Sequence, residues 1–293
     1  ARRHQPGAVQ GAILSRYSED SPGVEGVGTA LDSLMPPFSE NPGKWAGFSA
    51  SRIFFLTGLG RLHEAKVVAD SIELVSKDMA LGMHVMPVLA GLAPASSYPI
   101  ADNVTQAMEA ASMKSFFPAN FRVAYDLALG DVAAARRVLD GVLAASNTTL
   151  TPEMRSMLGG YRGWIKVLAG DTIGGVAEMK AGLRGAGALG MDFNSSHIRF
   201  RLAEFLAARA ATREEGIRWL QNGFSATSDV IYLPIARLML ARALEDKGDR
   251  QGAANAYSSF IRLWEKADPS LQPRVAEARD GLKRTTGEAS AGT

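Results

Sequence analysis

The residues with the spacing to do chemistry are few. Gly185-Ala-Gly-Ala-Leu-Gly190 has its glycines where a dinucleotide fingerprint has them. That chemistry needs a strand running into the glycine turn and a helix N-terminus to hold pyrophosphate. The preceding run, Val176 to Arg184, is apolar at helical spacing. The strand is therefore missing, and the stretch reads as a loop between helical units. His63-Glu64 starts a zinc-helix pattern but lacks the second histidine four residues on. His4, His63, His84 and His197 stand far apart with no ligand spacing, so no metal and no cofactor is expected. The acid pairs Glu214–Glu215 and Glu245–Asp246 fall where helix starts and exposed faces account for them. A phosphate-binding lysine loop, a nucleophilic serine elbow and kinase signatures are missing, and the chain reads as non-catalytic.

Composition narrows the classes further. The 293 residues contain no cysteine, which excludes disulfides, thiolate zinc sites and cysteine nucleophiles. The 32 basic and 30 acidic residues are interspersed and leave a formal charge of +2, so no electrostatic footprint for nucleic acid is present. No apolar run reaches the about 18 residues that a membrane helix needs, and no membrane insertion is expected of this segment. The chain starts with Ala1 rather than methionine, which gives the expectation of a fragment or processed chain preceded by a signal peptide, an anchor or another domain.

The elements that would position any site are helices. Apolar residues recur at three and four, and alternation at period two is missing. Residues 1–42, rich in Gly, Pro and Ser, read as a linker with short helices, and residues 285–293 as a disordered tail. Between them one pattern recurs. In "LEDKGDRQGAANAY" Gly248-Asp249 is followed by Ala253 and Tyr257; in "LALGDVAAARRVL" Gly130-Asp131 is followed by Ala135 and Leu139; in "VLAGDTIGGVAEM" Gly170-Asp171 is followed by Gly175 and Met179. Looser copies turn at Gly60 and Ala211. Halving the long first gap, near a Pro/Ser turn at Ala95, gives six helix pairs at a period of about 38 residues. Glycine closes one helix in a left-handed cap, and the aspartate that follows caps the next. A small residue one turn later lets the two helices approach, and a large one fills the space beside them.

At these residues the sequence resembles the tetratricopeptide repeat. In the last unit Leu240, Ala241, Leu244, Gly248, Asp249, Ala253 and Tyr257 match the family pattern. Asp126 and Lys166 depart from it, standing where the family has a large apolar residue. Tyr232 to Leu282 is also similar to the closing segment of repeat arrays that follow the kinase domain of bacterial eukaryotic-like serine/threonine kinases and related signalling proteins. The resemblance implies an all-α solenoid of about six tetratricopeptide-like hairpins over residues 43–284, ending in a C-terminal capping helix. It implies a module that binds a protein or peptide, as the sensor or interaction region of a bacterial signalling protein on either side of the inner membrane. A stand-alone scaffold or accessory subunit of a larger assembly is the alternative. In such arrays the first helix of each unit lines a concave groove. The groove positions are Asn120, Trp164, Arg201, Phe205 and Arg242, with Phe54 a further candidate; for Phe54 and Trp164 inter-repeat core packing is the favoured reading. "SFFPANF", Ser115 to Phe121, reads as core packed under a turn.

Overall fold

The computed structural model describes residues 33, 35–75, 77–94, 96, 116–144, 150–188, 192–224 and 227–287. Among the described residues every regular element is helical. In chain order these are α1 (Pro42–Gly58), α2 (Leu62–Ile72), α3 (Lys77–Leu89), α4 (Phe116–Ala128), α5 (Val132–Ala144), α6 (Pro152–Leu168), α7 (Thr172–Ala188), α8 (Asp192–Ala207), α9 (Arg213–Asn222), α10 (Leu233–Lys247), α11 (Arg250–Leu263) and α12 (Gln272–Thr286). Short 3-10 turns span Ala210–Thr212, Thr227–Ile231 and Pro269–Leu271. The linker expected over 1–42 and most of the tail expected over 285–293 lie outside the described residues. At the tail's start, α12 continues through Thr286 and closes on Gly287 at φ 78°.

The turns form as their residue types dictate. Gly60, Gly130, Gly170 and Gly248 have φ of 71°, 79°, 97° and 87°, the left-handed region that a Cβ disfavours. In three of them the next residue caps the following helix, with Asp131 Oδ1, Asp171 Oδ1 and Asp249 Oδ1 accepting from the N–H of Ala134, Gly174 and Gly252 at 2.9 Å each. At Ala211 the bend is instead a 3-10 turn, Ala210–Thr212, with no glycine. The second helix expected after Ala95 falls outside the described residues.

The chain divides into two compact units, Pro87–Leu202 and the pair of segments Ala1–Met86 and Ala203–Thr293. The two-segment unit brings α1–α2 against the far end of the sequence. Buried Trp264 donates from Nε1 to the carbonyl of Gly58 at 2.9 Å and packs on Phe260 with ring centroids 4.9 Å apart. The N–H of Asp268 donates to the Gly60 carbonyl at 2.9 Å. Its Oδ2 accepts from the N–H of His63 at 2.9 Å. Arg61 follows Gly60 where the other glycine turns have aspartate, so the cap of α2 comes from Asp268. Stacking of hairpins in sequence order does not by itself supply this contact. Behind α11 lies α12, held close because Gly281 has no side chain: a Cβ there would strike the Tyr257 ring.

In the other unit α6 and α7 touch through glycines. A Cβ on Gly163 would sit 2.5 Å from the carbonyl oxygen of Gly175, and one on Gly182 would sit 2.7 Å from Cα of Gly160. Gly185 belongs to this seam, facing Ser156. The glycine run expected to be a loop is thus α7 itself through Ala188, because its small residues match a neighbouring helix pressed against them.

Candidate binding surface

Each expected groove residue sits on the first helix of a pair: Phe54 on α1, Asn120 on α4, Trp164 on α6, Arg201 and Phe205 on α8, and Arg242 on α10. Burial separates them. Phe54, Asn120 and Trp164 are 6%, 0% and 4% exposed, so their side chains are core. Arg201 and Phe205 are half-buried and Arg242 is exposed, so these three keep accessible surface. Asn120, Trp164 and Arg201 belong to the unit Pro87–Leu202, and Phe205 and Arg242 to the other.

Arg201 is held in place by aromatic faces. Its guanidinium carbon lies 5.3 Å from the Trp164 ring centroid and 5.4 Å from that of Phe200. Trp164 in turn stacks on Tyr161 at 6.4 Å between centroids. A cation over an indole face is attracted by the ring quadrupole, by about 0.5–2 kcal/mol depending on desolvation. One turn before Arg201, His197 is buried edge-on to Phe121, centroids 6.5 Å apart. Burial, with the Arg201 charge adding to it, pushes its imidazole down to about 3. The neutral ring is what packs. Phe121, the last residue of "SFFPANF", is therefore part of α4 packing against α8 within this unit.

Among the described residues of this unit, two polar groups are buried without a hydrogen bond: the Asn120 amide, at both its oxygen and its nitrogen, and the Tyr161 hydroxyl. Burial also raises the Tyr161 phenol far above its usual range. Each such group costs about 1–3 kcal/mol.

Ion pairs fill the places where the sequence departs from the family pattern. Asp126, 2% exposed, accepts from Nε of Arg122 at 2.8 Å. Lys166 donates to Glu178 at 2.6 Å, and Arg162 donates to the same carboxylate at 3.1 Å. Burial works against ionisation of Glu178, but these two hydrogen bonds outweigh it and hold the carboxyl below the usual range. Arg242 donates to Glu277 of α12 at 2.8 Å. Glu245 accepts from Arg284 at 2.8 Å and from the Tyr257 hydroxyl at 2.6 Å. The arginine hydrogen bond, more than the tyrosine's, holds the Glu245 carboxyl below its ordinary value.

Among the described residues no group of His, Asp and Glu is arranged to hold a metal ion. No helix among them is long and apolar enough to cross a membrane. Comparison with models of known families and with characterised proteins found no match to the chain. One polar residue at a mid-helix position was passed over in the sequence. Arg237, a turn before Leu240-Ala241 on α10, looks in one dimension like any surface arginine of an amphipathic helix.

Proposed function

We propose that this chain is a non-catalytic, tetratricopeptide-like array of helix hairpins that binds a protein or peptide segment, as the interaction region of a bacterial signalling protein. The observation that supports this reading most is Arg201. The residue remains half-exposed, yet its guanidinium is laid on buried Trp164 and Phe200. A side chain fixed before binding loses little entropy on contact, and arginine and aromatic residues dominate binding hot spots. The repeated glycine turns give further support, because they present first helices at a near-constant period.

The test is selection of peptides from a displayed library against the full chain, followed by titration of the enriched peptides. Arg201→Ala is expected to weaken binding about tenfold or more while Tm moves little, and Arg242→Ala to act in the same direction. Failure to enrich any peptide, or full affinity in the double variant, overturns the reading.

A further inference from the structure

The most informative group outside that surface is Arg237. Its guanidinium is half-buried, and burial alone draws its pKa below the ordinary arginine value. Unlike Asp126, Lys166 and Arg242, it has no ion-pair or hydrogen-bond partner among the described residues. An unpaired charge withdrawn from water is destabilising unless something else supplies its counter-charge. Arg237 opens on a cleft of about 220 Å³ within the two-segment unit, formed by α9, α10 and α11.

The walls of the cleft divide by chemistry. Leu240, Leu244 and Ala256 make an apolar floor. Gln221 and Ser259 line it with side chains that hydrogen-bond to no described residue. Asn255 has its Oδ1 engaged by Gln251 at 3.1 Å, which leaves its amide N–H groups as donors. The guanidinium is thus accompanied by neutral donors and a greasy floor. Asp249 also lines the cleft, with its carboxylate capping Gly252. Its negative charge disfavours a phosphate dianion, while a carboxylate with one charge is matched by Arg237 in fork geometry.

We infer that the cleft between α9, α10 and α11 is a second binding site, in which Arg237 receives a monoanionic carboxylate whose apolar neighbour rests on Leu240, Leu244 and Ala256. The carboxyl-terminal residue of a peptide and a free small amphipathic acid both have this chemistry, and the cleft holds about one residue of either. The inference rests on the binding-module reading.

The experiment titrates the full chain with N-acetyl-L-leucine, N-acetyl-L-leucinamide and inorganic phosphate, with binding followed by calorimetry. Saturable binding of the acid in the millimolar range is expected of so small a ligand. The amide and phosphate are expected to bind at least about tenfold more weakly, and Arg237→Gln to reduce acid binding by a similar factor. A leucine-terminated tetrapeptide binding more tightly than the free acid assigns the peptide source, and the reverse assigns the free acid. Arg237→Met keeps the fold and does not lower Tm, because an unpaired cation is removed. Equal binding of acid and amide, stronger binding of phosphate, unchanged binding in Arg237→Gln, or no saturation overturns the inference. A library peptide that binds through Arg201 and ignores Arg237→Gln, with no acid bound, sinks this site and leaves the binding-module reading standing. Acid binding with no library peptide enriched does the opposite.

Discussion

Hairpins α1–α2 and α10–α11 bend on the same residue type in the same conformation, glycine at φ 71° and 87°, but they complete the bend from different sources. In α10–α11 everything is local. Gly248 closes α10, Asp249 next to it caps α11, and nothing else lies within 4 Å of the place a Gly248 Cβ would occupy. In α1–α2 the parts are borrowed. Asp268 caps α2, Trp264 satisfies the Gly58 carbonyl, and the space beside Gly60 is filled by Ala267 and Leu271. A turn can therefore keep its backbone form while its stabilising contacts move elsewhere in the sequence.

The sharpest way to break the comparison is Trp264→Ala. It removes a fully buried side chain and leaves the Gly58 carbonyl without its donor, so unfolding by denaturant is expected to show a loss of about 3–5 kcal/mol. Amide exchange is expected to speed up more in α1–α2 than in α10–α11; equal loosening of both would mean that α1–α2 does not depend on the borrowed contacts.

Next come the two glycines. Gly60→Ala adds overpacking to the left-handed penalty, since its Cβ would lie 2.8 Å from that of Ala267. It is expected to cost about 2–4 kcal/mol, whereas Gly248→Ala meets the backbone penalty alone, about 1–2 kcal/mol. Similar measured losses would show that the neighbourhood of Gly60 yields.

The caps are smaller. Asp249→Ala and Asp268→Ala are each expected to cost about 1 kcal/mol, the first freeing the N–H of Gly252 and the second that of His63, as amide exchange at those two residues can report.

The smallest effect is one of pH. Glu245 is held below its ordinary 4.5, chiefly by its hydrogen bond from Arg284, so its contribution is present above pH 4.5 and disappears as pH falls through the lowered value. Both partners are partly solvated, and Glu245→Gln is expected to flatten the acid limb of the stability curve only slightly. An unchanged acid limb would take the Arg284 contact out of the account of α10–α11.

Local chemistry was readable in the amino-acid order, and remote chemistry was not. Gly130-Asp131, Gly170-Asp171 and Gly248-Asp249 announce their turns because glycine cap and aspartate cap are adjacent in the chain. Gly60-Arg61 announces half of one, since nothing near it points to a carboxylate 205 residues beyond His63. The Gly185 run misled because glycine reads as loop in one dimension, while in α7 it admits a second helix. Of the groove residues, placement on first helices followed from periodicity and the burial of Trp164 from its large apolar ring, but the burial of Asn120 depends on which neighbours it meets. Arg237 was invisible for the same reason: what marks it is that no described residue pairs with it in space.

The bond from Trp264 to Gly58 also sets an order of events during synthesis. A ribosome releases Gly58, at the end of α1, 206 residues before the indole that completes its packing. At about 5–20 residues per second that interval is about 10–40 s, during which the apolar face of α1 is without its final cover. Completion of this unit is then a late step relative to synthesis of α1–α2, and nascent chains stalled before Trp264 would be the ones that a chaperone holds.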